Sequence, residues 1–400
     1  MKILMLCDFY DESLEYQENL LVKYYRKHGH QVTVVTSTFD SVFDYYQDRH
    51  DPGKPARTYF DHGAKIVKLR YRYNLLNRLR AYTRIDRLLE DEAPDLIYVH
   101  DIMPNLPECI AYVKRHPACR MILDYHADYS NSGRNWLSLK ILHGVLRKHF
   151  LDRARPHLAR IFPIVPAGTV FLHEVYKVPL DEMELLPLGA DLDLARAIHA
   201  RGGRHELRAQ LGFAPSDIVV FTGGKLAPAK RTELLFEAVA QLPDWPLKVV
   251  VAGDAAAADS EYKARLTAAA GDNVRFVGWL GREDIYRHLD LCDLAVFPAS
   301  QSILWQQAIA CGLPLICGNS GQQDISYLNL AENIVILPAA EINAQHLRET
   351  IRQVLETPGR MQHMRAGANR VAAEQLDWNR LIERTLRFNQ AARAIGENPR

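Results

Sequence analysis

The sequence predicts an α/β protein made of two doubly wound parallel-sheet domains, on three observations. Its 400 residues exceed what one ordinary hydrophobic core organises, so the chain divides. Short apolar runs alternate with helical stretches from one end to the other, which is the order of βαβ units. The runs are apolar throughout rather than alternately polar, as suits strands covered on both faces by helices.

The N-terminal run "KILMLCDFY" ends in polar residues and is followed by the helical stretch "YQENLLVKYYRKHG" and the β-branched "HQVTVVTS". That strand–helix–strand order requires a parallel pair. "AKIVKLR", a basic helix, "PDLIYVHD", a further helix and "RMILDYHAD" continue the series. A second series starts after "LLPLGADLD" and the polar "HARGGRHE". It runs "DIVVFTGGK", "LKVVVAGD", "VRFVGWL", "LCDLAVFP", "LPLICGN" and "NIVIL", with helices between. The division expected is an N-terminal domain over 1–195, a C-terminal domain over 205–375, and a closing helix over 376–400 that packs on either domain. No short-period repeat or low-complexity tract is present. Ligands of such sheets bind beyond the carboxyl ends of the strands, so the loops there carry the functional reading.

Composition narrows the class. Hydrophobic content of 48% with 24% charged residues is that of a folded globular chain, and a net charge of +1 excludes a whole-chain polyanion binder. The six cysteines show no CxxC pairing and sit mostly in apolar runs, as reduced core thiols do. No signal peptide precedes the first strand, and no run of about 18 apolar residues occurs, so a cytoplasmic location is expected.

The loop "FTGGKLAPAKRTELLFEAV" carries the strongest chemistry. Gly223 and Gly224 turn the backbone at a strand end, and Lys225 and Lys230 follow before a helix. Two cations beside such a turn make an anion site suited to a diphosphate, although a plain strand-to-helix turn with solvated lysines has the same local signature. The loop matches neither GxxxxGK[ST] nor GxGxxG.

"GGKLAPAKRTELLFEAV" resembles the phosphate-gripping segment of the retaining glycosyltransferases of GT-B fold, especially family four, usually written Gly-Arg-Leu, three residues, then Lys-Gly. Lys225 stands at the Arg position and Lys230 at the Lys position. "LLPLGADLD" resembles the family's Pro-Asn-Gly-Val-Asp segment, with Leu188 in place of Asn. "VVVAGD" and "VRFVGWL" resemble the strands whose ends meet the nucleotide, which brings Gly278 into the donor site. "CDLAVFPAS" with "QQAIACGLPLICGNSG" resembles the stretch leading into Glu-Ala-Met-Ala-Cys-Gly-x-Pro-Val-Ile. In the family two glutamates flank this helix start, one at the donor sugar and one at the ribose. Here Gln307 holds the second place, and Gln301 is the nearest polar residue to the first. Ser300 and Ser302 are N-cap candidates, leaving the helix N–H groups to a phosphate. An amide accepts a hydroxyl hydrogen bond without the charge that strengthens it.

The resemblance also implies a histidine beside the reacting centre. "LDYHADYSNSG" places His126 after a strand, with Asp128 as the neighbour that orients it; a buried structural histidine is the alternative, and His100 in "YVHD" is a second candidate. The first loop, "DFYDESLEYQENLL", lacks the family's Gly-Gly pair, so Ser13, Glu15 and Gln17 are the acceptor-contacting candidates.

Two stretches are basic. One runs from Lys65 to Arg87; the other, from Arg134 to Arg160, mixes seven Lys or Arg with Trp136, Leu137, Leu139, Ile141, Leu142 and Phe150. They suit an anionic membrane surface, or a core-facing helix with a solvated basic rim. No nucleic-acid motif accompanies the charge.

The resemblance thus implies a metal-independent retaining glycosyltransferase, with no cofactor beyond its nucleoside diphosphate sugar. The C-terminal domain would hold the donor and the N-terminal domain a saccharide or lipid-linked acceptor, with the reaction in the cleft between. A bacterial cell-surface polysaccharide or glycolipid is the expected product, and peripheral attachment to the inner face of the cytoplasmic membrane the expected setting. A sugar-nucleotide epimerase and a non-catalytic nucleotide-sugar-binding subunit stand as alternatives.

Overall fold

Ile3 to Leu6 are almost wholly buried, because the strand they form lies inside a sheet with helices on both sides. The computed structural model describes residues 1–39, 55–75, 78–133, 135–299, 302–321 and 324–387. Contacts divide the chain into one unit of Met1–Pro187, joined by the segment that begins at Asn379, and another of Leu188–Trp378.

The first unit contains β1 (Lys2–Leu6), β2 (Gln31–Ser37), β3 (Arg57–Asp61), β4 (Ala64–Leu69), β5 (Tyr71–Leu75), β6 (Leu79–Tyr82), β7 (Leu96–His100), β8 (Arg120–Tyr125) and β9 (Arg160–Pro163). Its main sheet has the order β3-β4-β2-β1-β7-β8-β9, parallel except for the edge strand β3. The winding reverses between β1 and β7, so the carboxyl ends of these strands frame a crevice. Leu4, Leu6, Ile97, Val99 and Leu123 form one side of a core completed by Cys109, Leu151 and Phe171. A fully buried side chain of this size contributes about 1.5–3 kcal/mol.

The second unit contains β10 (Ile218–Gly223), β11 (Leu247–Ala252), β12 (Val274–Gly278), β13 (Leu294–Phe297), β14 (Leu315–Asn319) and β15 (Ile334–Pro338). They pair all-parallel in the order β12-β11-β10-β13-β14-β15, with the reversal between β10 and β13. Val219 and Phe221 face one core while Val220 faces another, the two-sided burial that their apolar run announces.

Several elements differ from the sequence expectation. The basic stretch before Arg87 is an antiparallel hairpin, β5 with β6, followed by a short helix at Asp86–Glu92. Tyr71 and Tyr82 explain it: their rings stack at 5.5 Å, and their hydroxyls reach the Asp8 carboxylate and the Cys7 carbonyl. The exposed edge strand β3 has no clear apolar run, and the short, buried β9 adds a strand beyond those expected. The boundary falls after Pro187, because the helix Leu192–Arg201 buries Leu192, Ala195 and Ile198 in the second unit's core. Asp191 caps that helix through Leu194 N–H and pairs with Arg282 at 3.2 Å.

The helix Trp378–Leu386 serves the first unit from Asn379 onward. Thr385 Oγ1 lies 2.5 Å from the Tyr25 hydroxyl, and Arg384 donates to Glu184 at 2.7 Å. All six cysteines are unpaired thiols. Among the described residues no helix is long and apolar enough to cross a membrane.

Candidate active site

In the first unit, parallel pairing sets His100 at the end of β7 opposite Asp124 in β8, and His126 follows one residue beyond that strand. The start of the helix Gln17–Lys27 supplies Gln17 and Glu18 to the same place. Asp124 is completely buried. Its Oδ2 accepts from the Tyr98 hydroxyl at 2.9 Å and Gln17 Nε2 at 3.0 Å, and lies 3.1 Å from His100 Nδ1. His126 Nε2 stands 3.2 Å from the same oxygen, at ion-pair distance but out of line for a directed hydrogen bond. His100 Nε2 in turn lies 3.2 Å from Glu18 Oε1.

A carboxylate stripped of water is tolerated only when such partners compensate it. Burial alone pushes the Asp124 carboxyl up, but His100 and His126 beside it more than reverse that and hold it well below the usual carboxylate range. Burial alone pulls the His100 imidazole down, and Asp124 and Glu18 overcome it, pushing His100 up to about 10. His100 is therefore an imidazolium at neutral pH.

His100, Asp124 and His126 are also the group among the described residues whose donor atoms lie near enough for a metal ion, all within 4.8 Å. The Asp124 oxygen they share already accepts from Tyr98 and Gln17, so hydrogen bonds and ion pairs account for the arrangement.

Asp128 does not take the orienting role expected of it. Its Oδ1 accepts from Ser130 N–H at 2.7 Å, the Ser130 hydroxyl at 2.5 Å and Asn131 N–H at 3.2 Å, closing the turn after His126. A carboxylate two residues along the chain is claimed by local N–H groups, whereas the one on the strand faces the ring. Of the acceptor candidates, Ser13 is exposed and turned onto Asp11 Oδ1. Glu15 is half-buried in the same loop. Gln17 is buried in the Asp124 network rather than directed outward, and its Oε1 has no partner among the described residues.

In the second unit, Gly223 ends β10 and Gly224 follows with φ +111°. Gly224 N–H donates to the Ala252 carbonyl at 2.8 Å, and Gly253 N–H to the Gly278 carbonyl at 2.7 Å, which ties the ends of β10, β11 and β12 together. Gly253 thus joins Gly223, Gly224 and Gly278 at these strand ends, although only its place in "VVVAGD" signalled it. Lys225 is exposed and lies 3.6 Å from an Asp259 carboxylate oxygen. Lys230 closes the short turn Pro228–Lys230, and burial pulls its ammonium down to about 8.

Ser302 is buried, with its Oγ 3.2 Å from where a Gly224 Cβ would stand, so the β10 turn rests on the start of the helix Leu304–Ala310. That helix has only seven residues, and Leu304 and Trp305 N–H are turned onto Ser302 Oγ and O, which leaves less of its N-terminus for a phosphate than expected. Gln307 is buried on it, and no side-chain hydrogen bond of Gln307 occurs among the described residues. Neighbouring Gln306 donates to the Tyr327 hydroxyl at 3.3 Å. Gln301 and Ser300 lie outside the described residues.

Residues 203–371 match the family described as Glycosyl transferases group 1, and residues 19–194 match Glycosyltransferase Family 4. A D-inositol 3-phosphate glycosyltransferase of Rhodococcus erythropolis (strain PR4 / NBRC 100887) is 26% identical over 219 residues, covering 52% of this chain and 48% of that protein. A GDP-mannose-dependent monoacylated alpha-(1-6)-phosphatidylinositol monomannoside mannosyltransferase of Corynebacterium glutamicum is 26% identical over 201 residues, covering 46% and 50%. The chain thus spans about half the length of the curated relatives it matches. Among solved structures, Anabaena Alr3699/HepE in complex with UDP shares the fold with a TM-score of 0.68 at 18% identity, over 96% of this chain and 99% of that one.

Proposed function

This chain belongs to the family-four-like glycosyltransferases of GT-B fold, and from that premise we propose that it is a retaining, metal-independent enzyme moving a sugar from a nucleoside diphosphate sugar to an acceptor hydroxyl. The second unit takes the donor and the first the acceptor. The observation that carries the reading is Lys230, desolvated in the turn Pro228–Lys230 that follows β10 and its tied glycines. A lysine that burial has pulled down to about 8 gains most from a bound anion, and a diphosphate supplies one.

In the reaction the bond from the sugar C1 to the diphosphate oxygen breaks, its electron pair staying on the diphosphate. The acceptor oxygen bonds to C1 on the same face, and its proton passes to the departing diphosphate. Lys225 and Lys230 neutralise that leaving group, which is the task a metal ion performs elsewhere. His126, at the carboxyl end of the first unit's sheet, orients the reacting hydroxyl groups.

The acceptor is a saccharide or a lipid-linked molecule of cell-surface polysaccharide or glycolipid synthesis, reached from the cytoplasmic side of a membrane. Trp136 is 69% exposed and Leu137 61%, with Ile141 and Val145 exposed on the same helical segment and Lys140 and Arg153 exposed near them. An apolar strip with basic neighbours suits an anionic lipid surface.

Mass-spectrometric detection of donor hydrolysis over UDP-, GDP- and ADP-sugars, with and without a chelator, tests the reading. Release of one nucleoside diphosphate in the chelator is the expected result. Nucleotide binding without turnover of any donor, with acceptors supplied, would make the chain a binding subunit, which the uncharged Gln307 favours as the second reading. Solvent deuterium in a recovered sugar nucleotide would point to an epimerase.

A further inference from the structure

One buried carboxylate serves two histidines in the first unit. The rings of His100 and His126 stand 4.1 Å apart between centroids, and both present a nitrogen to Asp124 Oδ2. Their situations differ. His100 is bracketed by two carboxylates, with Nδ1 on Asp124 and Nε2 on Glu18. Among the described residues His126 faces one carboxylate, Asp124, through Nε2, while its own carbonyl accepts from Asn131 Nδ2 at 2.9 Å. Tyr98 and Gln17 fix the carboxylate from below, so it cannot rotate away from the rings without losing both bonds.

We propose that Asp124 is the positioning residue for His126: its carboxylate, shared with His100, attracts Nε2 at ion-pair distance and so sets where the ring stands beyond the end of β8. This rests on the reading of His126 as a reacting-centre residue and deepens it. A carboxylate 3.2 Å from Nε2 favours a proton on that nitrogen, which leaves Nδ1 as the ring atom for the reacting hydroxyl groups. Asp128, two residues on, closes a turn and has no part in this.

The test compares full-length wild type with Asp124→Asn, His100→Gln, Asp128→Asn and His126→Ala. Each is measured for kcat and KM on the donor that wild type hydrolyses, for unfolding temperature, and by nitrogen–proton NMR of the imidazoles. Asp124→Asn is expected to leave donor KM unchanged, to lower kcat by about 10²-fold, the cost of a misplaced orienting group, and to move the His126 proton off Nε2. Asp128→Asn is expected to leave the His126 tautomer as it is. Wild-type kcat and an unchanged tautomer in Asp124→Asn overturn the proposal. Should Asp124→Asn not fold, His100→Gln decides: reduced kcat with altered His126 resonances supports the shared carboxylate, and wild-type values in both overturn it. Wild-type kcat in His126→Ala instead removes the underlying reading of His126, whatever Asp124→Asn does.

Discussion

Gly253 approaches Gly224 so closely that a Cβ on Gly253 would stand 1.9 Å from the Gly224 carbonyl oxygen. Its φ of +123° is in addition one that only glycine adopts readily. This contact, with the bond from Gly253 N–H to Gly278, lets the ends of three strands converge on the place where Lys225 and Lys230 begin.

Gly253→Ala should therefore cost more than a backbone strain of about 1–3 kcal/mol, because the Gly224 turn must move as well. Nucleotide binding should fall together with the unfolding temperature. Gly359→Ala is the comparison: it also has positive φ, +74°, in the left-handed region, but nothing lies within 4 Å of its Cβ position. It should lose only the left-handed penalty of about 1–2 kcal/mol and keep nucleotide binding. Equal melting temperatures for the two variants would mean that the strand-end contact is not tight.

Lys230 sets a pH dependence for binding. Its ammonium is pulled from 10.5 down to about 8 by burial, so in the free protein at pH 8.5 most molecules carry it neutral. A diphosphate stabilises the charged form and raises the pKa again, so binding must take up a proton between about pH 8 and 10. Below pH 7 the lysine is already protonated and the uptake disappears. Calorimetry of UDP or GDP at pH 8.5, in buffers of different ionisation enthalpy, measures the proton directly. Lys230→Met should abolish the uptake and weaken the diphosphate by about 1.5–3 kcal/mol, while free nucleoside is unaffected. Uptake that persists in Lys230→Met assigns it to another group.

These two sites were legible to different degrees, for a physical reason. Gly223, Gly224, Lys225 and Lys230 lie in one loop, and a loop's chemistry can be read from adjacent residues. The strands were legible where burial is two-sided, as in Ile3–Leu6 or Val219–Phe221. The exposed edge strand at Arg57–Asp61 has no such run. The tyrosines of the hairpin at residues 71–82 are interleaved with arginines that imitate a basic helix face. Asp124 was passed over for Asp128 because most of its partners come from two distant stretches, Gln17 and Tyr98 with His100. Only the register between β7 and β8 and the seating of the helix at Gln17 bring them together, and neither is written in local periodicity. Gly253 shares the difficulty, since its constraint is a neighbouring backbone.

The exposed strip at Trp136, Leu137, Ile141 and Val145 predicts reversible attachment to anionic vesicles. Each basic residue near such a surface contributes about 1 kcal/mol, and Lys140 and Arg153 are exposed near the strip. Flotation with vesicles containing phosphatidylserine should carry wild type upward at low salt. Trp136→Asp should abolish it without changing the unfolding temperature, because an exposed side chain contributes little to the core. Lys140→Glu should weaken it and steepen its salt dependence less than in wild type. Equal flotation with neutral and anionic vesicles would remove the charge component, and none with either would leave a soluble saccharide as the acceptor.

Gln307 gives the most specific test of how the donor is held. It is buried on the helix Leu304–Ala310, three residues after its first, and its side chain has no hydrogen bond to another described residue. The amide oxygen accepts one hydroxyl well, whereas a carboxylate accepts two with charge assistance. Gln307→Glu should thus keep or tighten binding of a ribonucleoside diphosphate, and Gln307→Leu should weaken it. The 2′,3′-dideoxyribonucleotide isolates the contact, because it offers no hydroxyl to either side chain, so wild type and both variants should bind it with closely similar affinity. If Gln307→Leu instead binds the ribonucleotide as well as wild type does, the residue does not face the ribose.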